Sequence, residues 1–217
     1  MGSITRGLSN NITTGGVILP AGITNASVSA VTSFANASGG TLILLSTQTA
    51  SASANISFTT GLDSTYDEYQ FHFINIHPAT LNSVLQYNFT TDGTNFNVTK
   101  TTTMFRSFNN ESESGVLDYQ SSYDLAQSTS DQAITWDVSN DADACTSGIL
   151  TLFNPSSTTY VKHFIHQSNG MHSNPACFTN FSAGYCNTTS AITGAIFKFS
   201  SGNIDDGVFK LYGVKKS

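Results

Sequence analysis

From Thr41 onwards, apolar and polar residues alternate in short runs bounded by Gly, Asn, Asp, Ser or Pro. A period of two puts successive side chains on opposite faces of an extended strand. In DEYQFHFINIHPAT, Tyr69, Phe71 and Phe73 share one face and Gln70, His72 and Ile74 the other, until Pro78 ends the run. TLILLST is continuously apolar and predicts a strand buried on both faces, with ANISFTT as the next. LQYNFTTDGTNFNVTK predicts a hairpin, because Asp92-Gly93 readily adopts the positive φ angles of a tight turn. TMFRSF, QAITWDV, GILTLFNP, TTYVKHFIHQ, AIFKFSSG and GVFKLYGV add further strands. The last two predict a closing hairpin whose loop is bounded by Gly202 and Gly207, with Asn203 and Asp205 as its turn residues. ESESG, SNDADACTSG and QSNGMHSNPACFTN read as loops, and SSYDLAQSTSDQ as a helical turn. About ten strands without βαβ spacing predict an all-β fold, an antiparallel two-sheet β-sandwich that is jelly-roll-like.

Residues 1–40 break the pattern. They are rich in Gly, Ser, Thr, Asn and Ala, with apolar islands at Ile4, Leu8, Val17, Ile18 and Leu19. Such a stretch buries too little surface to fold alone and reads as an extended N-terminal arm for attachment or oligomerisation, ahead of a sandwich domain over 41–217.

Composition narrows the function classes. Only 10% of the 217 residues are charged, so Ser, Thr and Asn coat the surface, while 15 Phe and 8 Tyr supply a core. Few charges then need desolvating when copies pack together. The net charge of −6 and eight scattered basic residues give no footprint for nucleic acid. The opening MGSITRGLSNN has no basic stretch followed by an apolar one, and no run approaches the ~20 apolar residues of a membrane span. The expectation is a chain with neither export signal nor membrane anchor. Cys145, Cys177 and Cys186 are odd in number and lack CxxC spacing, which predicts reduced thiols. Nine N-x-S/T sequons, among them Asn88, Asn110 and Asn180, are what chance supplies in so Asn/Ser/Thr-rich a chain.

Candidate chemistry is sparse. No GxSxG or SxxK surrounds any serine. His163 and His166 lie three apart on a strand and so face opposite ways. A zinc cluster of His166, His172, Cys177 and Cys186 lacks the paired ligand spacing of structural sites. The acid pairs Asp67-Glu68, Glu111 with Glu113, and Asp205-Asp206 sit at strand edges or in loops, where solvation or turn formation explains them better than glycoside hydrolysis. Neither catalytic residues nor a cofactor are expected. Loops carrying Tyr119, Tyr123, Trp136, His172 and Asn174 offer rings and amides to a sugar, although Trp136, alternating with Ile134 and Val138, is expected inside the sandwich.

The segments LLSTQTASASANISFTTGLDSTYDEYQFHFINIHPAT, TTDGTNFNVTKTTTMFRSF, LFNPSSTTYVKHFI and AGYCNTTSAITGAIFKFSSGNIDDGVFKLYGV together resemble virion structural proteins of tailed bacteriophages, over roughly Leu42 to Val214. The resemblance implies a non-enzymatic β-sandwich displayed in many copies, as a capsid decoration, head fibre or tail fibre protein. It implies as partners other copies of the chain, as a homotrimer, the major capsid protein or a tail or portal component, and, in the tail alternative, a host-surface glycan. The arm is shorter than the repetitive stems of long fibres, which favours the head. Location in the virion would follow synthesis in the infected cell and release by lysis.

Overall fold

The computed structural model describes residues 41–216, together with two short strands, β1 (Ile12–Thr13) and β2 (Gly16–Val17). The chain divides into two compact units, Met1–Gly39 and Gly40–Ser217. In the first, β1 and β2 pair antiparallel, Ile12 opposite Val17 and Thr13 opposite Gly16. The candidate arm residues Ile4, Leu8, Ile18 and Leu19 lie outside the described residues, and Val17 is described only as part of β2.

The second unit contains β3 (Leu42–Ser53), β4 (Ile56–Phe58), β5 (Glu68–Pro78), β6 (Leu85–Thr90), β7 (Lys100–Asn110), β8 (Gly115–Tyr119), β9 (Gln132–Ala133), β10 (Thr146–Phe153), β11 (Lys162–His172), β12 (Ala176–Cys186), β13 (Gly194–Phe199) and β14 (Ile204–Val214). Eight of them form one antiparallel sheet in the order β3-β14-β5-β10-β11-β12-β7-β8, and four form the other in the order β4-β13-β6-β9. The sheets pack face to face as a β-sandwich, and the chain passes back and forth between them in jelly-roll fashion.

The alternation in β5 holds from Glu68 to Phe73, with Tyr69, Phe71 and Phe73 buried, and breaks at Ile74 and Asn75, both exposed, where Asn75 takes φ +53° and the pairing shifts before Ile76 turns inwards. Phe209 and Leu211 of β14, Leu150 and Leu152 of β10, and Phe164 of β11 complete this inner face. Phe58, Tyr87, Phe89 and Phe197 meet it from the four-stranded sheet. Phe197 is the hub, with ring centroids 5.2 Å from Phe209, 5.4 Å from Phe71 and 6.3 Å from Phe58.

Both expected hairpins are instead crossovers. β6 and β7 lie in different sheets, as do β13 and β14. At the first crossover Asp92 does make the turn, its Oδ1 accepting from the backbone N–H of Thr94 (2.8 Å) and Asn95 (2.7 Å). The chain then leaves its sheet, and Lys100 begins β7 in the facing one. At the second, Asp205 and Asp206 belong to β14 itself, and Asp206 Oδ1 accepts from Gly207 N–H (2.7 Å) where the pairing with β5 slips around Gly207 at φ +131°. β3, expected to be buried on both faces, is an edge strand with exposed Leu42 and Leu44. The stretch QAITWDV contributes only β9; Thr135 is buried along with Ile134 and Val138, so this stretch does not alternate. SSYDLAQSTSDQ forms turns and bends rather than a helix, and the Leu125 N–H donates to Thr102 Oγ1 (2.8 Å) of β7 instead of to a helical carbonyl.

Candidate functional site

Two polar regions and one outer face compete for the role of a site. The first region lies at the β7–β12 end, where Arg106 turns inwards from β7. Its guanidinium sits 3.8 Å from the centre of the Trp136 ring and 5.3 Å from that of Phe108, and is 3.1 Å from Asp118. The ring of His172 stacks on the same indole at 4.2 Å and 18°. Two groups so close to one ring centre cannot share a face, so Arg106 and His172 cover opposite sides of Trp136. Trp136 is half-buried rather than fully enclosed, and no face is left for a sugar ring to stack upon.

Of the residues expected in ligand-facing loops, the structure brings Tyr123 and His172 together around Asp137. Burial raises the Asp137 carboxyl above its usual range, with the charges of His172 and Arg106 opposing the shift. Burial likewise raises the Tyr123 phenol, with Asp137 adding to the effect. His172 Nδ1 accepts from the backbone N–H of Asn174 (2.9 Å), while the Asn174 side chain is exposed. Tyr119 stands apart on β8, 56% exposed, its hydroxyl donating to Asp124 (2.5 Å).

The acid pairs do not converge on a reacting position. Asp205 and Asp206, with Asp143, His77 and Cys145, line an open cavity of about 530 Å³, but His77 Nδ1 is held at 2.7 Å from the Ala144 carbonyl and Asp206 by its own turn. The zinc candidates are also dispersed. His166 is buried in the core while Cys177 is exposed, and among the described residues no three His, Cys, Asp or Glu side chains are placed to hold a metal ion. No helix is long and apolar enough to cross a membrane among the described residues.

The second region lies inside the sandwich and was not legible from periodicity. Lys162, Cys186 and Lys100 stand directly opposite one another across β11, β12 and β7, all three buried. Burial pushes the Cys186 thiol up to about 12 despite its two cationic neighbours, and lowers Lys100 to about 8. Lys100 Nζ donates to Asn88 Oδ1 (2.6 Å) and to the Val98 carbonyl (2.8 Å). Further along the same inner face, His166 and Ser182 oppose each other, next to Asn180 and beneath Tyr87. The side-chain polar atoms of these four meet no protein hydrogen-bond partner. Desolvation lowers His166 to about 3, offset in part by the nearby Ile134 carbonyl.

The outer face of the eight-stranded sheet is the reverse of this. No Lys, Arg, Asp or Glu points outwards from β10, β11, β12 or β7, since Lys162, Lys100 and Arg106 all turn inwards. The outward positions carry Ile149, Ile165, Phe105 and Phe181, of which the last two stack at 5.1 Å and 15°. Leu117 (71% exposed) and Tyr119 extend the patch onto β8. Comparison with protein-family models, with curated proteins and with solved structures returned no match.

Proposed function

We propose that the chain is a non-enzymatic structural protein of a tailed-bacteriophage virion, set on the particle surface in several copies as a capsid decoration or head fibre protein. The observation that carries this reading is the outer face of β10, β11, β12 and β7, which carries no formal charge. An exposed apolar patch of this kind is uncommon on a solitary soluble domain and suits a surface that other protein covers. Strands about 4.8 Å apart and rising about 3.3 Å per residue give these four strands, three of them eleven residues long, a face of roughly 19 by 33 Å. That is about 630 Å², at the lower end of what one partner contributes to a specific interface, roughly 600–1,000 Å². The occupant we assign is a second copy of the chain. With no formal charge on β10, β11, β12 or β7 to desolvate or repel, the face is compatible with a copy of itself, and a closed trimer repeats the contact. The resemblance of the strand-rich segments to virion proteins supports the same reading, with the capsid or a tail component as the anchoring partner. The glycan-binding alternative loses its best platform, because Arg106 and His172 cover Trp136.

Sedimentation velocity tests the face. The full chain is expected to sediment as an oligomer, and the double variant Phe105→Glu, Ile165→Glu as a folded monomer. A native chain that stays monomeric at high concentration, or a double variant of unchanged mass, counts against self-association through this face.

A further inference from the structure

The buried contact between Lys100 and Asn88 has the parts of an amide-forming centre. Lys100 enters from β7 in the eight-stranded sheet and Asn88 from β6 in the four-stranded one, both essentially without solvent exposure. The Nζ–Oδ1 distance is 2.6 Å, and a carbonyl bond is about 1.2 Å long, so the carboxamide carbon Cγ lies within about 3.8 Å of Nζ. That is close to attack distance. The carboxamide is oriented from both sides. Its Oδ1 also accepts from the backbone N–H of Phe89 (2.9 Å), and its Nδ2 donates to Asp131 Oδ1 (2.9 Å) and to the Thr129 carbonyl (3.0 Å). The second oxygen of Asp131 is held by Lys198 at 2.8 Å.

We propose that Lys100 and Asn88 form an intramolecular isopeptide bond, with Asp131 as the proton-transfer group, that ties the two sheets of the sandwich together. In the step, neutral Lys100 Nζ attacks Asn88 Cγ and forms the new C–N bond. The oxyanion that develops on Oδ1 is met by the Phe89 N–H, which already points at it. The proton lost from Nζ passes by way of the Asp131 carboxylate to Nδ2, the Cγ–Nδ2 bond breaks, and ammonia leaves. A primary amide and an amine become a secondary amide and ammonia, so no oxidant, cofactor or activating group is required. Burial lowers Lys100 to about 8, which keeps a substantial fraction of its amine unprotonated and nucleophilic near neutral pH, where an exposed lysine would be almost wholly charged. The same burial keeps out water, the nucleophile that would otherwise compete for Cγ. Ordinary hydrogen bonding of a buried lysine explains the contact to Asn88 and Val98. It does not call for a carboxylate on the leaving nitrogen and a backbone donor on the carbonyl oxygen of the same side chain. This inference does not depend on the proposed function.

Mass spectrometry of the folded full chain, denatured just before measurement, decides it. The expected mass is about 17 Da below that of the sequence, the loss of one ammonia on closing the amide. Cleavage before Asp92, which lies between the two residues, must leave the flanking peptides joined, and trypsin must fail to cut after Lys100. Lys100→Met and Asn88→Ala each restore the full mass, and Asp131→Asn slows closure more than tenfold, the range expected for loss of a positioned proton-transfer group. A folded native chain of full mass overturns the proposal. So does a deficit that persists in Lys100→Met, or one confined to an unbranched peptide, which is the mark of asparagine cyclising on its own backbone. An Asp131→Asn chain that closes as fast as the native one overturns the assignment of Asp131.

Discussion

Between pH 6.5 and pH 3 the folded chain is expected to lose roughly 4 kcal/mol of stability on account of His166 alone. The imidazole is wholly buried, its ring nitrogens meet no partner, and burial holds it at about 3 against an ordinary value of 6.5. Above about 6.5 the ring is neutral in both the folded and the unfolded chain, so pH has no effect through it. Below that, the unfolded chain binds a proton that the folded chain refuses until about pH 3. Stability therefore falls as pH falls, by about 1.4 kcal/mol per unit, over the interval between the two values. Carboxylates such as Asp63, lowered by hydrogen bonds from Thr65 and Tyr69, add their own loss at the acid end, so the native profile alone does not isolate the histidine. The comparison with His166→Leu does. Urea unfolding of both chains at pH 6.5 and pH 4 should show the variant gaining about 3 kcal/mol relative to the native chain across that interval. Parallel profiles would contradict a buried neutral imidazole.

The second large effect is expected at the aromatic hub. Phe197→Ala should cost about 3–5 kcal/mol, because the ring is fully buried and touches aromatic rings from both sheets: Phe58 and Tyr87 beside it, Phe71 and Phe209 across from it. No rearrangement of one sheet alone fills the space, since the four neighbours sit on β4, β6, β5 and β14. Phe105→Ala on the outer face is the control and should cost under about 1 kcal/mol in the separated chain, its ring being 44% exposed and stacked only on Phe181. A loss at Phe197 no larger than that at Phe105 would mean the core lies elsewhere.

The strands that alternate apolar-in and polar-out were legible from the sequence. β5 and β14 carry Tyr69, Phe71, Phe73, Phe209 and Leu211 inwards, and the two-sheet class follows from such runs. β12 was not, and its residues read as loop and family motif. Its inner face holds Asn180 and Ser182, while Phe181 and Tyr185 point out, so the usual relation of polarity to depth is inverted. β7 and β11 hide Lys100, Arg106 and Lys162 inside in the same way, which leaves their own outer positions without formal charge. Turn chemistry at Asp92-Gly93 is local, as expected, whereas the loop expected over Gly202–Gly207 ends at Asn203 because Ile204 to Gly207 already belong to β14; a turn residue specifies a bend and not which sheet the chain enters next. Of the loop aromatics, Tyr123, Trp136 and His172 converge and Tyr119 does not, because the partners that gather them, Asp137 and Arg106, leave no loop-level pattern in the sequence. The Lys100–Asn88–Asp131 contact carried no motif at all. Asn88 stood out only as a sequon, and its burial closes it to glycosylation.

Display of this sandwich in copies on a bacteriophage particle is tested by electron microscopy of intact virions produced with this chain, labelled with antibody against residues 41–217. Regular, multiple labelling of the head surface is expected. Particles that carry no label, while the protein is recovered free in the lysate, would contradict it; label confined to the tail tip would move the chain to the receptor-binding role instead.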